Sequence, residues 1–272
     1  MGHIAAPFKG QAPKRVREQI VYPLLPWKWI GTGITAVVVI SVYAHDAASL
    51  AGVNVTSSNL ARLIPLVVLG ILGGVFGGTG FWAPWRVIWR WVPGLNVWAF
   101  PDLNGVWVGS TKSNWPTIAK MLEAAQAHRA TDKAELQSIP LQDDAIAVQI
   151  KASLFSLKIC AGLSSTDGQS HSVTARPRRE PNSDQFHITY VYNQSVPDPA
   201  LTDQDSHMGA ADVQIDPDDL TKIEGVYWTR RSWKQGLNTA GRICLRRLEA
   251  RKDPRKALRE YAAEEKARLS GN

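Results

Sequence analysis

The chain has little cysteine, with only two among its 272 residues, at Cys160 and Cys244. Neither is accompanied by a further cysteine or a close histidine that would complete a four-ligand zinc site. The sequence also lacks the Gly-x-Ser-x-Gly nucleophile motif, the Walker phosphate loop, the His-Glu-x-x-His zinc motif and the Gly-x-Gly-x-x-Gly dinucleotide motif. Because no catalytic pattern is present, we predict a protein that is not an enzyme and that carries no cofactor.

Metal binding has equally little support in the sequence. Asp203, Asp205 and His207 lie close together, but their loop lacks the glycine and the final glutamate of a calcium-binding EF-hand. A solvated acidic turn is the simpler interpretation, so we predict no metal site.

Two long apolar runs, by contrast, are present near the N-terminus. Leu63 to Ala83 is a run of about 20 residues without a charge, enough to cross a hydrocarbon core of ~30 Å. The shorter run from Trp27 to Ala44 contains a single charge, at Lys28. The first run is not typical of a cleaved signal peptide, because a signal peptide would be followed by the start of a soluble domain, whereas a second apolar run follows here. We therefore predict a membrane protein with two transmembrane helices within residues 27–83.

Basic residues indicate how these runs are oriented. Lysine and arginine precede the first run and follow the second, whereas the connecting loop at 45–62 carries only Asp46 and Arg62. The positive-inside rule places this loop outside and both termini, including a basic segment at 1–26, in the cytoplasm. The net charge of +7 is concentrated in these flanking segments, where it attracts anionic lipid. A cytosolic C-terminal domain would keep both cysteines reduced, and their apolar strand patterns predict buried core thiols.

The second apolar run is rich in glycine. Its glycines form overlapping small-xxx-small pairs, a spacing that lets two helices approach closely. Packing within one chain and packing between chains of an oligomer both agree with this pattern. The glycines predicted to pack are Gly70, Gly73, Gly74, Gly77 and Gly78.

Tryptophan and arginine then alternate along a linker that we place at residues 84–100. Five of the 11 tryptophans occur between Trp82 and Trp98. Both residue types suit the headgroup region of a bilayer, because the indole ring is amphipathic and arginine can extend its charge to water. A nucleic-acid-binding patch has a similar composition, but the position beside a predicted span favours membrane lipid as the partner and argues against a nucleic-acid polymer. The residues predicted at the membrane interface are Trp82, Trp85, Arg86, Trp89, Arg90 and Trp91.

Residues 101–250 have the pattern of one β-rich cytosolic domain. Leu103 to Lys112 alternates in hydrophobicity, and the spacing becomes helical over about 115–140, which predicts a helical insertion. Short sequential strands bounded by turn residues favour an antiparallel meander, closed into a barrel of about eight strands that holds one small ligand. The later predicted strands are Ala145–Leu163 (one long strand or two), Gln169–Arg176, Gln185–Asn193, Met208–Ile215, Ile223–Trp233 and Ala240–Leu248.

The tail at 251–272 is predicted to be helical. Asp253 followed by Pro254 is typical of a helix N-cap with proline in the first turn. A solvated helix is the simpler interpretation; a helix whose face closes the mouth of the barrel or contacts a neighbouring chain is the alternative.

Polar side chains are interspersed on strand faces that are otherwise apolar. Tyr190 and Tyr192 share a face with Phe186 and Ile188, and Arg231 shares one with Tyr227. Such a set suits an anionic ligand that contains rings, because arginine pairs with phosphate and tyrosine offers a stacking surface. A solvated outer face is the alternative. The candidate ligand-binding residues are Trp107, Tyr190, Tyr192, Tyr227, Thr229, Arg231 and Arg242.

Several short motifs follow one another in a characteristic order after the two apolar runs. They are Leu103-Asn104-Gly105-Val106-Trp107-Val108-Gly109, Tyr190-Val191-Tyr192-Asn193, His207-Met208-Gly209, Gly225-Val226-Tyr227-Trp228-Thr229-Arg230 and Gly241-Arg242-Ile243-Cys244-Leu245. From about residue 25 to 250, this order resembles the two-transmembrane β-barrel effectors of bacterial cyclic-oligonucleotide anti-phage systems, such as CBASS, to which Panoptes-type effectors are related.

The resemblance implies a specific function. The barrel would bind a cyclic di- or trinucleotide second messenger, which controls homo-oligomerisation and disruption of the bacterial inner membrane, either by activation or by silencing. Two other functions agree with the same patterns: a lipocalin-like barrel that binds a lipid or other apolar ligand, and a membrane-anchored module that only binds another protein.

Overall fold

The computed structural model describes residues 32–33, 35–36, 39, 43, 67–68, 70–180, 185–199, 204–249 and 253–271. The basic segment at 1–26, the loop at 45–62 and most of the first predicted span therefore lie outside the described residues, whereas the second predicted span is described at 67–68 and 70–83. Within the part that is described, no helix combines the length and the apolar character needed to cross a bilayer. The two transmembrane helices stay a prediction.

The C-terminal domain is a closed antiparallel barrel in which eight strands follow the order of the sequence. The last strand pairs with the first, from Trp107 opposite Arg247 to Ser113 opposite Gly241, so the sheet has no free edge. The strands are β1 Gly105–Ser113, β2 Gln142–Ala152, β3 Leu157–Leu163, β4 Gln169–Arg179, β5 Phe186–Ser195, β6 Ser206–Asp216, β7 Asp219–Thr229 and β8 Ala240–Arg247.

This architecture confirms the predicted antiparallel barrel. The segment predicted as one long strand or two is two strands, separated by a turn in which the Ser153 hydroxyl accepts hydrogen bonds from the backbone N–H groups of Phe155 and Ser156. Strand β7 ends at Thr229, before the predicted end at Trp233, because the chain turns at Ser232, whose φ of 39° is incompatible with a strand.

Helices occur before, within and after the barrel. A short π-helical turn covers Leu72–Phe76, and a 3-10 turn covers Trp233–Gln235. The predicted insertion contains two helices, α3 and α4. The α-helices whose two ends lie among the described residues are α1 Pro84–Trp91, α2 Gly94–Trp98, α3 Trp115–Gln126, α4 Lys133–Ser138 and α5 Leu258–Ser270.

Helix α1 closes one end of the barrel, called here the base. Trp85 and Trp89 are buried in the same apolar cluster as Phe100, Leu103 and the inward residues of the strands. The indole N–H of Trp89 donates to the Phe100 carbonyl at 2.9 Å, and that of Trp85 donates to the Gly78 carbonyl at 2.7 Å. Since both polar atoms have partners, the two large rings can fill the base without an unsatisfied donor.

The base is also joined to the end of the second apolar run. The N–H of Leu154, in the turn between β2 and β3, donates to the carbonyl of Phe76 at 3.1 Å. Helical conformation ends at Phe76, before the predicted end of the run at Ala83, and the glycine-rich stretch that follows supplies carbonyls to Trp85 and Arg86. The barrel is thus held against the residues that leave the predicted span.

Half of the predicted membrane-interface residues are buried in the base and the other half are exposed, which corrects the prediction for the buried half. Trp85, Arg86 and Trp89 are buried in the base, because Trp85 and Arg86 lie four and three residues before Trp89 and therefore share its face of α1. Trp82 and Trp91 are 75% and 84% exposed, and Arg90 is exposed as well.

The glycines predicted to pack helices differ in what surrounds them. A Cβ on Gly70, Gly73 or Gly74 would meet no heavy atom within 4 Å among the described residues, whereas one on Gly78 would lie 3.1 Å from the Cβ of Ala83. Their packing against another helix stays a prediction.

Helix α5 packs on the outside of the barrel, which corrects the prediction of a solvated helix. Tyr261 and Ala262 cover Val106, Val108 and Ala147, outward residues of β1 and β2. The helix begins at Leu258, and the Asp253 carboxylate accepts a hydrogen bond from the Arg255 N–H instead of capping it. The apolar outward face of β1 and β2 explains the packing, because it would otherwise be exposed to water.

Both cysteines also differ from their predicted positions. Cys160 is half-buried and Cys244 is exposed, and both are free thiols. Their neighbours Ile159 and Leu245 occupy the inward positions of β3 and β8, so the alternation of the strands directs each cysteine outward.

We expect a buried carboxylate to detach helix α5. Ala262 is fully buried and its neighbour Ala263 is exposed, so Ala262→Asp and Ala263→Asp introduce the same charge at a buried and at an exposed position of one helix. Ala262→Asp should lower the free energy of unfolding by about 2 kcal/mol, because the helix can detach and expose the new carboxylate to water, which limits the cost of burying the charge. Ala263→Asp should lower it by less than about 0.5 kcal/mol. Denaturant unfolding of both full-length variants measures the difference; equal stabilities would mean that α5 does not pack as described.

Candidate functional site

A cavity of about 370 Å³ opens at the end of the barrel opposite the base. Its lining comes from the inward residues of all eight strands and from the connections around the opening, called here the mouth. This volume is within the range of small-molecule sites, which is roughly 300–1,000 Å³. The base is filled by aromatic and aliphatic side chains, whereas the walls near the mouth carry hydroxyl, phenol and amide groups.

Two tyrosines fold over glycines on the neighbouring strand. Tyr192 stands opposite Gly209, and Tyr227 stands opposite Gly241. A Cβ on Gly209 would lie 2.4 Å from the Tyr192 ring, and one on Gly241 would lie 3.0 Å from the Tyr227 ring. Only glycine leaves room for each ring, so these pairs define the shape of the cavity wall.

The phenols of the cavity wall are neutral at pH 7, as tyrosine ordinarily is, and burial disfavours their charged form further. Burial raises the pKa of Tyr190 to about 12, and it raises the pKa of Tyr192 further, with a smaller contribution from the adjacent phenols. The two ring centroids are 5.9 Å apart. At neutral pH both groups therefore offer hydroxyl hydrogens and ring surface, with no negative charge to repel an anionic ligand.

Hydroxyl groups form a second part of the wall. Burial raises the pKa of the Tyr227 phenol, and the nearby side chains of Ser113 and Thr111 reduce this rise. The hydroxyls of Thr229 and Thr239 lie 3.0 Å apart and join the end of β7 to the start of β8. Such groups can both donate and accept, which suits a ligand rich in oxygen.

Charged groups of both signs line the mouth. The Arg231 guanidinium lies over the Trp115 ring, with its carbon 4.8 Å from the ring centroid. The Asp144 carboxylate accepts hydrogen bonds from the hydroxyls of Ser164, at 2.8 Å, and Ser165. Among the described lining residues, Arg231 carries the one permanent positive charge and Asp144 the one carboxylate.

Five of the seven candidate ligand-binding residues line this cavity: Tyr190, Tyr192, Tyr227, Thr229 and Arg231. Trp107 does not, because it is fully buried toward the base, where its indole N–H donates to the Leu103 carbonyl at 3.0 Å. Arg242 does not either, because Gly241 and Ile243 take the inward positions of β8 and direct it to the exposed outer face.

Several lining residues were absent from the sequence-based set. Trp115 had been assigned to the helical insertion, and His207 to a solvated acidic turn; both line the cavity together with Ser113 and Gln194. The alternation of β1 and β5 could have identified Ser113 and Gln194, which continue the faces of Trp107 and Tyr192. Nothing in the local sequence places Trp115 at the mouth, since that position depends on how the insertion folds back on β8.

Comparison with known proteins adds a second line of evidence. Residues 98–247, which include all eight strands, match the domain described as "Cap15, cyclic dinucleotide receptor domain". The chain is also similar to CD-NTase-associated protein 15 of Escherichia albertii, with 26% identity over 227 residues that cover 83% of this chain and 97% of the relative.

Proposed function

The chain belongs to the family of the Cap15 cyclic dinucleotide receptor domain, and on this basis we propose that its barrel cavity binds a cyclic dinucleotide. The observation that carries the proposal is that the matched domain encloses a cavity lined by tyrosines, hydroxyls and one arginine. The resemblance to anti-phage effectors that was inferred from the sequence is confirmed by this family. The protein acts, in this proposal, as a receptor in cyclic-oligonucleotide defence and not as an enzyme.

The lining matches the parts of such a ligand. Arg231 and the threonine hydroxyls are donors for phosphate oxygens, and a guanidinium forms strong charge-assisted bonds with phosphate. Tyr190 and Tyr192 offer ring surface to the bases. Asp144 is held by two serine hydroxyls and can accept a hydrogen bond from an amino group of a base. The proposal includes cyclic trinucleotides, which are larger ligands with the same phosphate and base groups.

The membrane part of the proposal rests on the sequence and on the junction at the base. Two spans would anchor the protein in the bacterial inner membrane with both termini in the cytoplasm, and ligand would control homo-oligomerisation and membrane disruption. The hydrogen bonds of Leu154 to Phe76 and of Trp85 to Gly78 support mechanical coupling, because they join the barrel to the residues that leave the second span. Trp82, Arg90 and Trp91 are the exposed residues available to lipid headgroups.

The same cavity offers less to the alternative ligands. Gln142 and Gln194 bring amide groups to the mouth and Asp144 brings a carboxylate. An acyl chain would remove water from these groups and offer no hydrogen bond in its place, which is costly. A protein-interaction module would have no need of a cavity.

Replacing the cavity arginine should weaken binding more than replacing an outward one. We expect Arg231→Gln to raise the Kd for a cyclic dinucleotide by about 10- to 100-fold, because a charge-assisted bond to phosphate is lost. Arg242→Gln removes the same charge from the outer face of β8 and should leave the Kd within about twofold. Titration calorimetry with cyclic di-AMP, cyclic di-GMP and cyclic di-UMP measures both. If Arg242→Gln weakened binding as much as Arg231→Gln, the ligand would not occupy this cavity.

A further inference from the structure

The contact between Trp115 and Arg231 joins two separate connections across the mouth. Trp115 is the first residue of α3, in the insertion between β1 and β2, whereas Arg231 belongs to the loop between β7 and β8. Both side chains line the cavity, and the guanidinium carbon lies 4.8 Å from the Trp115 ring centroid. This distance is typical of a cation–π contact.

The backbone on the tryptophan side is fixed. The N–H of Asn114 donates to the Ala240 carbonyl at 3.0 Å, and the Asn114 side-chain oxygen accepts from the Ala240 N–H at 2.9 Å. The N–H of Trp115 donates to the Ser113 hydroxyl at 3.2 Å. The start of the insertion is therefore clamped to β8, and the ring has a defined position at the mouth.

The backbone on the arginine side is constrained as well. Ser232, which follows Arg231, has a left-handed φ of 39°, and its N–H donates to the Gln204 side chain at 3.2 Å. A left-handed serine is unfavourable and persists only where neighbouring contacts hold it. The direction in which the chain presents Arg231 is thus set by the loop.

We infer that Trp115 is a positioning residue for Arg231 in the recognition of a ligand phosphate, which deepens and rests on the proposed function. Stacking engages the face of the guanidinium, and a guanidinium binds phosphate through N–H groups that lie in its plane, so the two contacts are geometrically compatible. A free arginine would lose much rotamer freedom on binding, whereas a stacked one has lost part of it before the ligand arrives. Trp115 therefore acts on affinity through Arg231.

Direct stacking of a ligand base on Trp115 makes a different prediction. A residue that acts through Arg231 loses its effect when Arg231 is absent, whereas a residue that contacts the ligand keeps its effect. A double-mutant cycle separates the two, since it measures the coupling between the positions.

The test measures the Kd of the full-length protein for the tightest-binding member of the cyclic di-AMP, cyclic di-GMP and cyclic di-UMP panel. We expect Trp115→Leu to raise the Kd by about tenfold, and Trp115→Phe to restore most of the affinity, because phenylalanine also accepts a stacked cation. In the Arg231→Gln background, Trp115→Leu should change the Kd by less than about twofold. Thermal midpoints of all variants verify that they fold.

Three results would overturn the inference, and they separate a failure of positioning from a failure of the proposed function. An equal loss from Trp115→Leu in both backgrounds, or no loss in either while the wild type binds, would refute positioning and leave the proposed function intact. A wild-type protein that binds no member of the panel would refute both.

Discussion

Gly209→Ala is expected to abolish high-affinity ligand binding and to lower the free energy of unfolding by about 3 kcal/mol. A Cβ at this position would lie 2.4 Å from Cζ of Tyr192 and 2.8 Å from the backbone oxygen of Trp228. The backbone contact cannot relax without distorting the pairing of β6 and β7, and the ring contact forces Tyr192 away from its place in the cavity wall. One added methyl group thus alters both stability and the shape of the site.

Gly94→Ala is the matched control for this substitution. A Cβ on Gly94 would meet nothing within 4 Å, and the residue lies in α2, outside the barrel. We expect its stability and its Kd to stay close to wild type. Denaturant unfolding and calorimetry on both full-length variants make the comparison, and a Gly209→Ala protein with unchanged stability and affinity would show that Tyr192 does not occupy the described position.

The second large effect is expected at the base, where Arg86→Met should lower the free energy of unfolding by about 3–4 kcal/mol. The Arg86 Nε donates to the Asp102 carboxylate at 2.7 Å, and the two side chains are only 10% and 13% exposed. Asp102 also accepts from the Asn104 side chain, which bonds to the backbone of Ala152 at 2.8 Å. Without Arg86, a poorly solvated carboxylate lies within this network, and an unpaired buried charge is costly.

Arg90→Met tests whether burial is the cause. Arg90 is one turn further along α1 and exposed, where it donates to the Phe81 carbonyl and stacks on the Phe81 ring. Surface contacts of this type contribute roughly 1 kcal/mol or less. Denaturant unfolding of the two variants should therefore separate them by at least about 2 kcal/mol; similar losses would mean that the base is not held by the Arg86–Asp102 pair.

The barrel could be predicted from the sequence because the pattern that identifies each strand lies within that strand and its turns. Phe186, Ile188, Tyr190 and Tyr192 alternate with polar residues, and this period of two identifies a strand and its two faces. The same alternation placed Tyr227 and Arg231 on one face, and both line the cavity. Chain order and turn residues then sufficed for a meander.

Whether an inward-facing residue lies at the base or in the cavity could not be predicted in the same way. Trp107 faces inward like Tyr190, yet it lies against the base and not in the cavity. The difference depends on residues 84–100 filling one end, which is a tertiary contact. In the linker, the helical spacing of Trp85, Arg86 and Trp89 was present in the sequence, but it was outweighed by a composition typical of a membrane interface.

Trp115 shows a further limit of local patterns. It begins a helix by sequence and by structure, and the hydrogen bonds of Asn114 to Ala240 attach the start of that helix to β8 at the mouth. Arg242 and Ile243 show another limit. Alternation places them on opposite faces of β8 but does not show which of the two faces inward, and the pairing of β8 with β1 determines that.

The most direct test of the central claim is thermal unfolding of the full-length, detergent-solubilised protein with cyclic di-AMP, cyclic di-GMP and cyclic di-UMP, each beside its linear dinucleotide. A ligand at 100 times its Kd adds about 2.7 kcal/mol to the stability of the folded state. The cavity described here predicts that at least one cyclic dinucleotide raises the unfolding temperature, that its linear counterpart raises it less, and that Arg231→Gln reduces the shift. An unfolding temperature that none of the cyclic dinucleotides changes would contradict the account.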